Sequence, residues 1–198
     1  MRIGIVSDVH ANGAGLATAL ERMGDVDMLL CAGDIVEEFR FSNEAIELLR
    51  DRDAVCVRGN HDAGLLSPHG ERARAGDGVR PDLVDYLAGL PWSVDLEIDG
   101  KRLVLAHASP CAPHNQYVWR GSSELRRIAE IDADFVVIGH THAQLVERVG
   151  RVQVINPGSV GQARDHANGR MLSYAVLDTC SGEVVVDNYL SSDLCLKT

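Results

Sequence analysis

Five short apolar runs in this sequence each end in Asp, Asn or His, and no other feature constrains the fold as much. Ile3-Gly4-Ile5-Val6 runs into Ser7-Asp8-Val9-His10, and Met28-Leu29-Leu30-Cys31-Ala32 into Gly33-Asp34. Ala54-Val55-Cys56-Val57 runs into Arg58-Gly59-Asn60-His61-Asp62, which reads as a strand delivering its last residues onto a loop. Leu103-Val104-Leu105-Ala106 ends at His107, and Phe135-Val136-Val137-Ile138 at Gly139-His140-Thr141-His142. Continuous apolar runs of this length, bounded by turn residues, read as buried strands. Each motif alone is weak, because Asn, Asp and Gly are ordinary turn residues. Five strands that release such side chains at their C-terminal ends describe one site at a common sheet edge.

The segments between them fix the fold class. Leu16, Ala17, Leu20 and Met23 recur at helical spacing, so residues 11–23 form an amphipathic helix packed on the sheet. Ser42 caps a second helix that runs to Arg50, with Ala45, Ile46, Leu48 and Leu49 on its inner face. A βαβαβ start implies a largely parallel sheet with right-handed crossovers. Residues 63–80 are rich in Gly, Ala, Arg and Pro without a period, and read as an irregular loop beside the site. Pro81 opens a short helix to Leu90, and Asp99-Gly100 marks a hairpin between two strands. Residues 108–121 form a loop, and Ser122 or Ser123 caps a helix to Ile131. Extended stretches near 144–149, 152–155, 172–178 and 183–189 make the last third mostly antiparallel. The expectation is a single α/β domain over residues 1–198, a sandwich of two mixed β-sheets flanked by helices.

Composition excludes some partners. A net charge of −10 argues against a nucleic-acid surface, since phosphate backbones select basic faces. It does not oppose a small phosphate substrate, because bound metals reverse the local sign. The five cysteines are odd in number, widely spaced and without a Cys-x-x-Cys pair, which fits reduced thiols in a cytoplasmic protein. The chain opens directly into a strand, so no signal peptide is visible, and no apolar run reaches the ~18 residues of a membrane span.

The strand-end residues carry a specific chemistry. Asp8 and His10 stand two apart, as do His140 and His142, so each pair aims at one point. Oxygen and imidazole together suit Mn, Fe, Zn, Ni or Co, with Mn first among them. No Cys occupies such a position, which sets aside a structural zinc site. Asp8, His10, Asp34, Asn60, His107, His140 and His142 make seven groups, too many for one tetrahedral ion. Seven suits two ions about 3.5–4 Å apart that share a carboxylate.

Asp-x-His, Gly-Asn-His-Asp and Gly-His-x-His, with Gly-Asp and a lone strand-end His between them in that order, resemble the metallophosphoesterase, or calcineurin-like phosphoesterase, superfamily. Asn156-Pro157-Gly158-Ser159-Val160-Gly161 resembles its small single-domain bacterial and archaeal members. The resemblance implies that Asp8, His10 and His142 hold one metal, that Asn60, His107 and His140 hold the other, and that Asp34 bridges them. It implies a water between the ions that attacks phosphorus in line. His61 is then left as the general acid for the leaving oxygen, and Asp62 as the residue that orients His61 or pairs with it.

Beyond the metal set, Asn12 contacts phosphate or caps the following helix. His114, on the loop after His107, is a candidate substrate contact. Arg120 and Arg164 are candidate phosphate clamps, with a surface role as the alternative. Tyr117 and Trp119 offer aromatic surface for an organic group, or belong to the core. The family's protein phosphatases continue the Gly-Asp block with a second Asp and an Arg. This chain reads Ile35-Val36-Glu37-Glu38-Phe39 instead, which puts two acidic residues near the mouth and argues against protein substrates. The expected activity is hydrolysis of small phosphodiesters, with monoesters slower. The competing classes are a monoesterase or nucleotide phosphatase, a nuclease, and a non-catalytic scaffold that binds a protein partner. Some family scaffolds lack the His of Gly-Asn-His-Asp, whereas His61 is present here.

Overall fold

The computed structural model describes residues 1–190. In chain order it forms β1 (Arg2–Val6), α1 (Gly13–Met23), β2 (Met28–Cys31), α2 (Asn43–Arg50), β3 (Val55–Cys56) and α3 (Asn60–Leu66). A 3-10 turn (Pro68–Gly70) leads to α4 (Glu71–Arg74) and α5 (Pro81–Gly89). The second half holds β4 (Ser93–Ile98), β5 (Lys101–Ala106), α6 (Ser123–Ile128), β6 (Phe135–Val137), β7 (Gln144–Val149), β8 (Val152–Pro157), β9 (Leu172–Asp178) and β10 (Val184–Tyr189).

The strands make two five-stranded mixed sheets, ordered β10-β9-β1-β2-β3 and β4-β5-β6-β8-β7. In the first, β1, β2 and β3 are parallel, with β9 and β10 antiparallel at one side. In the second, β5, β6 and β8 are parallel, flanked by antiparallel β4 and β7. The expected antiparallel character of the last third is therefore broken at β8, which runs parallel to β6.

Side-chain alternation explains the layering. Ile3, Ile5, Leu30 and Val57 of one sheet pack on Leu103, Leu105, Phe135, Val137 and Ile155 of the other. The residues between them face outward, as strand pleating requires. Val104, Val136 and Val154 meet Leu125 and Ile128 of α6. Val6, Cys31 and Cys56 lie under Leu16 and Leu20 of α1, Ile46 and Leu49 of α2, and Leu83 and Leu87 of α5. Helices thus cover the outer faces, and the apolar seam lies between the sheets. The capping expected at Ser42 and Ser122 is present: their hydroxyls accept from the amides of Ala45 and Leu125 at 3.2 and 3.1 Å.

Two expectations are corrected. The Gly59-Asn60-His61-Asp62 block does not lie on a loop; it is the first turn of α3. Residues 63–80 are largely helical, because α3, the 3-10 turn and α4 follow one another there. Each piece is too short to display a hydrophobic period. Cys31, Cys56, Cys111 and Cys180 form no disulfide, and Cys195 lies outside the described residues. Among the described residues no helix is long and apolar enough to cross a membrane.

Candidate metal centre

The C-terminal ends of β1, β2, β3, β5 and β6 meet at one edge, and the backbone there is held in unusual conformations. Asp8, His10, Asp34, His140 and His142 all have positive φ, between 49° and 69°. They are five of the nine non-glycine residues with positive φ among those described. Left-handed backbone costs about 1–2 kcal/mol per residue outside glycine. Such strain persists only where the surroundings enforce it, and it concentrates at functional sites.

Contacts around these loops enforce it. Asp8 accepts from the amide of His140 and from Ser7 Oγ at 2.7 Å. Asp34 Oδ1 accepts from the His61 amide at 2.8 Å. Gly59 and Gly139 permit these approaches: a Cβ on Gly59 would collide with Asp34, and one on Gly139 with Ser7 and Asp8. The Asn156–Gly161 block ties the loops together. Asn156 Nδ2 donates to Gly139 O at 2.7 Å and its Oδ1 accepts from Gly158 N at 2.9 Å. Ser159 Oγ donates to Asp8 O at 2.7 Å.

Three overlapping groups of metal-type side chains result; one, His10 with Asp34 and His61, lies between the other two. In the first of those two, His10 Nε2 faces His142 Nε2 at 3.0 Å, and Asp8 Oδ1 lies 3.4 Å from His142 Nε2 and 3.9 Å from His10 Nε2. In the second, His107 Nε2 lies 3.0 Å from Asn60 Oδ1, with Asp34 and His140 completing the group. One oxygen joins them: Asp34 Oδ2 is 3.2 Å from His107 Nε2 and 3.9 Å from His10 Nε2.

These residues fit divalent ions. Ligand atoms about 2.0–2.2 Å from one ion stand about 3–3.5 Å from each other. Two imidazole Nε2 atoms at 3.0 Å, both buried, require a proton or a cation between them. Burial draws the pKa of His10 down to about 3, and those of His140 and His142 to about 4, which leaves their lone pairs available. Burial pushes Asp8 up to about 7, only partly opposed by the charge of His107. His107 and Asp34 behave as a pair. Burial works against both charges, yet Asp34 lifts His107 to about 9, and His107 holds Asp34 at about 2. Two carboxylates, each at most 1% exposed, thus share one cationic partner, and a metal cation would neutralise what remains.

The family model of the calcineurin-like phosphoesterase superfamily domain matches residues 1–182. The chain belongs to this superfamily. Among its relatives is the uncharacterized protein MJ0912 of Methanocaldococcus jannaschii, 29% identical over 89% of this chain and 82% of that protein. Phosphodiesterase MJ0936 of the same organism is 28% identical over 80% of this chain and 83% of its own. The crystal structure of a metallophosphoesterase from Sphaerobacter thermophilus superposes with a TM-score of 0.79 at 28% identity, covering 98% of this chain and 91% of that one. The fold of this chain is the α/β sandwich of that neighbour.

Other sequence-predicted residues fall in mixed positions. His61 stands beside the first group, its ring centroid 4.9 Å from that of His10. Asp62 does not reach the His61 ring. Its oxygens accept from the amides of Val36 at 3.0 Å and Gly59 at 2.8 Å, so it closes the first turn of α3. Glu37 takes the expected place, 3.5 Å from His61 Nδ1. Asn12 is a helix cap: its Oδ1 accepts from Gly15 N at 2.8 Å and its Nδ2 donates to Gly161 O. Arg120 pairs with Glu147 at 2.7 Å and does not line the cleft beside the second group. Arg164 is near enough for its charge to depress His10 and His142, and its guanidinium has no partner among the described residues. His114 and Tyr117 line a cleft next to the second group. Tyr117 is not core; its ring stacks on His140 at 4.0 Å, with the exposed Trp119 stacked beyond it.

Sequence reasoning assigned no role to Asn156 or Ser159, and it placed Glu37 only at the mouth. Only half of a capping box exists at α3, the Gly59 amide donating to Asp62 Oδ2, because glycine has no side chain to complete it, so the sequence held only a weak signal for Asp62.

Proposed function

We propose that this chain is a metal-dependent phosphoesterase that hydrolyses small phosphodiesters, with monoesters slower. Asp8, His10 and His142 would hold one divalent ion, Asn60, His107 and His140 would hold a second, and Asp34 stands between the two sets. The observation that carries this reading is Asp34 Oδ2, which faces a histidine of each group. When bound, such ions supply a water that ionises near neutral pH and positive charge for the phosphoryl oxygens.

The chain's own residues do the rest. His61 stands at the edge of the first group and gives a proton to the leaving oxygen, a contribution of about 10²–10⁴ in rate. Its Nδ1 faces Glu37, which leaves Nε2 to hold that proton. The strained loops hold the ligands in place before substrate arrives, so little reorganisation is needed. Arg164 is the cation available to a non-bridging oxygen, in place of the arginine that the Gly-Asp block lacks. Glu37 at the mouth disfavours a dianion, which ranks diesters above monoesters. The experiment is turnover of bis-p-nitrophenyl phosphate against p-nitrophenyl phosphate after loading with Mn²⁺ or Ni²⁺. Faster diester hydrolysis supports the ranking, faster monoester hydrolysis with both ions reverses it, and no turnover of either removes the enzyme reading.

A further inference from the structure

A cleft of about 1020 Å³ opens from Asn60, His107 and His140 and runs outward to Trp92, Asp95 and Arg102. This is the upper end of what organic ligands occupy, and far more than a phosphate and a short alkyl group fill. We propose that it binds a nucleobase, carried on the half of a phosphodiester that the enzyme retains; the proposal rests on the phosphoesterase reading above.

Three observations select this occupant. The walls are flat and aromatic: Tyr117 lines the inner end against His140, and Trp92, 60% exposed, lines the outer part. The Arg58 guanidinium lies 5.4 Å over the Trp92 ring, pinned by its bond to Ala88 O, and its Nε is buried without a partner. At the far end Asp95 and Arg102 pair at 3.0 Å, so an acceptor and donors stand side by side. A planar ring with donors and acceptors on its edge meets the faces and the edge together. An alkyl chain leaves the donors and acceptor at the far end unmatched. The acidic chain accepts one nucleotide while disfavouring a polymer.

Geometry also assigns the half. His61, which faces the leaving oxygen, stands beside His10 and does not line the cleft. The leaving group therefore departs on the His10 side, and the cleft keeps the other ester half.

The test uses two diesters with one leaving group, thymidine 5′-(p-nitrophenyl phosphate) and methyl p-nitrophenyl phosphate, on the full Mn²⁺-loaded chain. Stacking of a base on an aromatic side chain predicts kcat/KM about tenfold or more in favour of the nucleoside ester, expressed in KM. Trp92→Ala brings that ratio close to one, and Trp92→Phe keeps most of it. Equal kcat/KM for the two esters overturns the proposal and leaves the phosphoesterase reading standing. A ratio that Trp92→Ala does not change overturns the site. If neither ester is hydrolysed, the phosphoesterase reading fails, and equilibrium binding decides the cleft separately. Thymidine 5′-monophosphate bound about tenfold more tightly than ribose 5-phosphate, with the difference lost in Trp92→Ala, supports it; equal binding overturns it.

Discussion

Glu37 Oε2 lies 3.5 Å from Nδ1 of His61, and Oε1 of the same carboxylate lies 3.2 Å from Nδ1 of His10. Neither approach has hydrogen-bond geometry, since both Nδ1 atoms are without a partner by that measure, but both rings face this acid. Gln162 Nε2 holds Oε1 from the other side. A carboxylate behind a metal-binding histidine fixes its ring, and loss of such a partner costs about 10–100-fold in affinity or activity. Glu37→Ala is expected to lower turnover about tenfold or more, and Glu37→Gln to restore part of it. Unchanged turnover in Glu37→Ala removes this role.

His61→Gln separates a proton donor from a metal ligand. The variant should keep the fold and the full metal content, and lose about 10²-fold or more in kcat on alkyl esters. The loss should shrink for nitrophenyl esters, whose leaving oxygen needs no proton. Metal analysis that shows an emptied site would make His61 a ligand instead.

Asp62→Ala tests the corrected role of this buried residue. Both oxygens accept backbone amides, so truncation leaves two buried donors unpaired. That costs at least about 2 kcal/mol, a fall in Tm of about 5 °C or more. Thermal denaturation measures it. A Tm within a degree of the parent, together with a His61-like loss of turnover, would return Asp62 to the role expected from sequence.

Asn156→Ala should loosen the Gly139–His142 loop without touching a ligand, since its amide bonds Gly139 O and Thr141 Oγ1. The expected result is Mn²⁺ activation shifted to about 10–100-fold higher concentration, with kcat recovered at saturation. A normal activation curve would contradict the clasp.

The parts of this account that were legible in the sequence are those where local pattern and long-range position coincide. Val6 and Asp8, or Ile138 and His140, are a buried strand and its exit, so the apolar run places the ligand type at the sheet edge. Side-chain direction is not encoded that way. Asp62 sits next to His61 in sequence, but as the third residue of a helix it turns back to the Gly59 amide. Arg58 and Trp92 become neighbours only because the Arg58 amide bonds Pro91 O at 2.7 Å, a contact no local pattern reveals. The helical nature of residues 63–80 was hidden for a different reason, since its pieces are shorter than the window over which a period is visible.

The central claim is a pair of ions joined through Asp34, and metal stoichiometry tests it most directly. The full chain, stripped with chelator and reloaded with saturating Mn²⁺, should bind two ions per chain by elemental analysis, and Asp34→Asn should weaken both sites together. His10→Ala should weaken mainly one. A single ion per chain at saturation, or an Asp34→Asn variant that loses one ion and keeps the other at its original affinity, would contradict the account.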